Sequence, residues 1–89
     1  MRARDIKVGE IYMLKPSPYY EYIPTYSYVK ILCVLKPKET AWYKNACGFY
    51  RQATNNSNRI IVKCLHSSSK DFCFGFVRDF LPREIIKDA

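Results

Sequence analysis

The chain has little of what most active sites are made from. It holds three glycines and a single histidine, His66, and no glycine-rich run that could cradle a phosphate. Its acidic residues come one at a time, so no carboxylate pair for general acid–base work and no cluster of metal ligands is evident. Any catalytic dyad must use His66. Cys64 lies two residues away and alternates onto the same strand face, but Cys64 falls in an apolar pattern and a strand-end histidine is more often a polar cap. No Cys-x-x-Cys spacing occurs among Cys33, Cys47, Cys64 and Cys73, which argues against zinc. Cys33, Cys64 and Cys73 lie in apolar strand patterns, where a thiol behaves as a small hydrophobe. We therefore expect no catalytic residue, no metal and no cofactor. No stretch approaches the ~20 apolar residues that span a bilayer, so no membrane is expected. MRARDIKVGE carries positive charge with no apolar run behind it, which leads to the expectation of a cytoplasmic protein with four free thiols.

What is present is a folding chain with an uneven charge. Hydrophobic residues make up 48% and aromatics 16% of the 89 residues, which excludes disorder and suits one domain over 1–89 with a small core and a shallow working surface. The formal charge is +7. Residues 1–29 hold four basic and three acidic groups, residues 30–70 eight and one, and residues 71–89 three and four. The middle segment carries the excess, as a footprint for a polyanion or an acidic protein face, or as a solvated surface.

The pattern is that of strands. Asn58 to Lys87 contains two strand-like runs, a polar turn and a proline-marked close. Arg59 to Leu65 sets Ile60, Val62 and Cys64 on one face and Ile61, Lys63 and Leu65 on the other, so this strand is buried on both sides over part of its length. His66 to Lys70 makes a turn, and Phe72 to Arg78 alternates Phe72, Phe74 and Phe76 toward the core, with Val77 also buried. Pro82 ends that run, and a short last strand covers Glu84 to Lys87. Upstream, Gly9 bends into a first strand, Glu10 to Lys15, with Ile11, Met13 and the ring of Tyr12 packed. Lys15 to Thr25 is an irregular loop with Pro16, Pro18 and Pro24. Tyr26 to Lys36 gives the longest strand, with Val29, Ile31, Cys33 and Leu35 as one continuous core face. Ala41 to Tyr43 and Cys47 to Gln52 suit short hairpin arms, and Thr54 to Asn58 a turn.

The stretches IKVGEIYMLK, YVKILCVLK and IIVKCLHSSSKDFCFGFVRDFLPREI resemble the strand order of Src-homology-3-like barrels, a group that includes the KOW and Tudor domains. The resemblance implies an all-β barrel of about five antiparallel strands, with residues 38–57 inserted between the second and third. It also implies a binding fold rather than a catalytic one, its ligands peptides, modified tails or nucleic acid.

Two sets of residues are candidates for contact. The basic set is Lys30, Lys36, Lys38, Lys44, Arg51, Arg59 and Lys63, and it interleaves with Trp42, Tyr43 and Tyr50. The cations would neutralise phosphates and the rings stack on bases. The second set is the proline-rich loop. Six of the eight tyrosines fall between Tyr12 and Tyr28, and Tyr19, Tyr20 and Tyr22 are either contacts or a lid on the barrel. The leading expectation is a non-catalytic nucleic-acid-binding module. The alternative is a protein-interaction module, such as a phage or mobile-element inhibitor or adaptor that docks on a partner enzyme through the tyrosine loop. An aromatic cage for a modified tail follows from the Tudor resemblance alone.

Overall fold

The structure is a computed structural model that describes residues 1–15, 26–68 and 74–88. Short alternating apolar runs separated by turn residues leave strands as the only way to bury side chains here, and the described residues form seven: β1 (Ile11–Leu14), β2 (Ser27–Leu35), β3 (Ala41–Lys44), β4 (Tyr50–Ala53), β5 (Arg59–Ser67), β6 (Val77–Phe80) and β7 (Ile85–Asp88). All pairings are antiparallel. Five strands make one sheet in the order β6-β5-β2-β1-β7, and β3 and β4 form a separate hairpin. The class is all-β as expected, and the insertion between β2 and β5 is this hairpin. No closed barrel forms among the described residues, because β6 and β7 stand at opposite ends of the sheet. A 3-10 turn, Pro82–Glu84, leads into β7. Pro82 suits its start, and the buried Glu84 carboxylate accepts the Leu81 N–H at 2.9 Å.

Two bulges decide where side chains go. Ile31 faces Val62 but Cys33 faces Ile61, so Leu32 is an extra residue in β2. One extra residue turns every later side chain to the opposite face. Val29 and Ile31 accordingly pack in the main core with Tyr12, Leu14, Ile60, Val62, Cys64, Phe80 and Ile85. Beyond the bulge Val34 joins that core, whereas Cys33 and Leu35 turn to the outer face. The single continuous core face expected for β2 is thus split in two. There Leu35, Ile61 and Ala53 form a second cluster with Cys33, Ala41, Tyr43 and Val77, and this seats the β3–β4 hairpin on the sheet. Ile60, Ile61 and Val62 are consecutive and all buried, because β5 carries one core on each side.

The second bulge lies at Leu65, since Tyr28 faces His66 and Val29 faces Cys64. His66 is therefore exposed while Cys64 is fully buried, and the shared face expected of them does not exist. Past this bulge Ser67 turns toward Ser27, whose buried hydroxyl it meets at 2.7 Å.

Three other expectations are corrected. In β1 the packed residues are Tyr12 and Leu14, while Ile11 is 43% exposed. Gly9, at φ +87, donates to the Ile31 carbonyl and sets that phase, and the Tyr12 hydroxyl accepts the Lys7 N–H at 2.9 Å. Phe74 is 74% exposed because it lies in a turn with Gly75, at φ +84, ahead of β6. Phe76 packs against the main core as expected, and Phe80 is buried in it. Val77 is half-buried and belongs to the second cluster, not the main core. Cys33 and Cys47 are free thiols. Phe72 and Cys73 lie outside the described residues.

Candidate nucleic-acid interface

The β3–β4 hairpin is built by its turn. Asn45 Oδ1 accepts the N–H groups of Cys47 and Phe49, each at 3.0 Å, and Gly48 takes a left-handed φ of +87. An asparagine side chain that closes its own turn fixes the hairpin register without tertiary help. At its base, the Lys38 N–H donates to the Asn55 carbonyl at 2.7 Å, and Lys38 itself is left-handed at φ 67.

The register gives the hairpin two different faces. Ala41 lies opposite Ala53 and Tyr43 opposite Arg51 on the side toward the sheet; Trp42 lies opposite Gln52 and Lys44 opposite Tyr50 on the other. Small alanines allow close approach to Leu35 and Ile61. The outward face is aromatic and basic: Trp42 is 64% exposed and Tyr50 70%, and Phe49, in the turn just before β4, is 70% exposed as well. Trp42 and Tyr50 are diagonal neighbours across the two strands, within reach of each other for rings of that size. Lys36 and Lys38 in the turn before β3 are exposed as well.

The sheetward face carries a polar clamp. Asp79, on β6, accepts hydrogen bonds from the Tyr43 hydroxyl and from Arg59, with which it also forms an ion pair. Burial, and then the adjoining Asp79 carboxylate, push the Tyr43 phenol up to about 12. Tyr43 therefore stays neutral and fixed, and it is a strut between hairpin and sheet rather than the stacking ring expected. Arg59 is likewise occupied within the fold.

Of the expected basic set, Lys36, Lys38 and Lys44 gather at the hairpin, and Arg51 lines a cleft beneath it. Lys30 and Lys63 stand elsewhere. They are cross-strand partners on the outer face of the sheet, flanked by Ile11, Tyr28 and Leu32, all of which are exposed. Tyr19, Tyr20 and Tyr22 lie outside the described residues. Phe49 was missed by sequence reasoning, although its place beside Gly48 in a turn was a usable signal of exposure. Among the described residues no group of three or more His, Cys, Asp or Glu is placed to hold a metal ion, and no helix is long and apolar enough to cross a membrane. In comparisons with protein-family models, curated proteins and solved structures, nothing matches the chain.

Proposed function

We propose that the protein is a non-catalytic module that binds nucleic acid through unpaired bases, with the outward face of the β3–β4 hairpin as its stacking platform. One observation carries this reading: two outward rings, Trp42 and Tyr50, share a hairpin face with Lys44, beside the exposed Phe49 of its turn, in a chain of charge +7. Stacking on exposed rings beside lysines that neutralise phosphates is the usual means of holding a single strand without reading its sequence. The strand order β7-β1-β2-β5-β6, with a 3-10 turn before the last strand, supports reading the five-stranded framework as Src-homology-3-like and β3–β4 as an insertion that carries the binding face.

The test is anisotropy of a labelled single-stranded oligonucleotide across a salt series. Trp42→Ala and Tyr50→Ala should each weaken binding by roughly 1–3 kcal/mol. Binding that ignores both substitutions, or that is absent at low salt, refutes the reading. A second reading, a protein-interaction module facing an acidic partner, is favoured by the uncovered outer sheet face, where Ile11, Tyr28 and Leu32 surround Lys30 and Lys63. It predicts an affinity that falls only mildly with salt, since its apolar contacts are not screened and only Lys30 and Lys63 would be.

A further inference from the structure

We propose that the open part of the outer sheet face docks a helix of a partner protein that presents an acidic side chain between two apolar ones; this rests on the acidic-partner reading above and is independent of the hairpin platform. The hairpin covers only one part of that face, where Leu35, Ile61 and Val77 meet Ala41, Ala53 and Tyr43. The remainder is centred on Lys30. Along β2 its neighbours on the face are Tyr28 and Leu32, 37% and 41% exposed, and across the sheet they are Ile11 on β1 and Lys63 on β5.

The lysine pair identifies the charge of the occupant. Lys30 and Lys63 are direct cross-strand partners, and both are exposed. Like charges placed opposite each other on one face destabilise a sheet, and among the described residues no ion pair engages either lysine. A carboxylate set between the two ammonium groups would accept charge-assisted hydrogen bonds from both and remove the repulsion. A second copy of this chain is a poor occupant, because its own face would bring two more lysines to the contact.

The apolar neighbours set the form of the occupant. Tyr28, Lys30 and Leu32 stand on alternate residues of β2, about 7 Å apart along the strand. Side chains four residues apart on a helix lie about 6 Å apart along its axis. A helix with an apolar residue, an acid and an apolar residue at i, i+4 and i+8 therefore matches all three from one face. It also keeps its backbone hydrogen bonds internal, whereas an extended segment laid flat on a sheet would leave its own unmade. A nucleic-acid strand would use the lysines but leave Ile11 and Leu32 without apolar partners.

The experiment selects binders from a display library of randomised peptides, each about 15 residues or four helical turns long. The best binder is then titrated into isotope-labelled protein while backbone amide shifts are followed. Selected sequences should carry an acid with apolar residues four places to either side, and the bound peptide should move the amides of Tyr28, Lys30, Leu32 and Lys63. Lys63→Glu should weaken it by about tenfold or more. The same change should raise the melting temperature of the free protein by roughly 1–5 °C, because it turns a like-charge pair into an opposite one. Lys63 is exposed, so the variant folds. Binders without an acid, a Lys63→Glu variant that binds equally well, or one that melts at a lower temperature would overturn the proposal. So would a single-stranded oligonucleotide that moves the same amides. An acidic peptide that maps to the hairpin overturns this site and leaves the acidic-partner reading standing, whereas a library that yields no binder removes both.

Discussion

Ile31 has no solvent exposure and lies directly before the Leu32 bulge, where β2 passes from one core to the next. Ile31→Ala should cost about 2–5 kcal/mol, read as a fall in the denaturant midpoint, because the rigid sheet around it cannot collapse on the gap. Tyr43 gives a pH prediction. Its phenol is raised from 10.0 to about 12, so the fold favours the neutral form. That contribution is complete below pH 10, the unfolded value, and is lost as pH rises through about 12. The charged groups around it are Asp79 and Arg78, with Arg59 behind Asp79 and Arg51 across the strand pair. Tyr43→Phe should show a shallower loss of stability over that range than the parent chain, and the difference between the two excludes the lysines that titrate alongside. At this scale the sequence was legible where burial followed strict alternation, as at Val29, Ile60 and Val62. It misled at Phe74 and Ile11, where a turn and a glycine shift the phase. Hydrophobicity does not encode phase.

The elements were legible as strands because their alternating runs end at glycine, proline or asparagine. The bulges were not, since a bulge depends on which residue faces which across a pair and not on local composition. Leu32 provides the test. Its side chain is 41% exposed, so Leu32→Ala should shift stability by no more than about 0.5 kcal/mol. Deleting the residue instead removes the inversion, aims Cys33 and Leu35 at the main core and strips the hairpin of its seat. Near-ultraviolet circular dichroism should then lose the signal of a packed Tyr43 in the deletion and keep it in Leu32→Ala. Equal behaviour of the two would mean that the inversion does not seat the hairpin. The candidate site was half legible for the same reason: Trp42, Tyr50 and Lys44 could be picked as residues, but their common face comes from a hairpin register that Asn45 and Gly48 set.

For the whole molecule, the charge excess of the middle segment resolves into separate places. Lys36, Lys38 and Lys44 gather at the hairpin, Arg51 lines the cleft, and Lys30 and Lys63 lie on the outer sheet face. Replacing Lys36, Lys38 and Lys44 by glutamate should lower the slope of log affinity against log salt by about 0.7 for each phosphate that is no longer neutralised, with little change in melting temperature. An unchanged slope would remove these lysines from the interface. The seating of the hairpin has one more consequence. A strand at the end of a sheet is a template on which another chain can assemble, and β6 is such a strand. Here the Tyr43 hydroxyl donates to the Asp79 carboxylate on β6, and the hairpin stands along β6 as a guard rail. A chain cut back to its five-stranded framework should therefore come off a sizing column as oligomers, its β6 edge open to recruit a copy of itself.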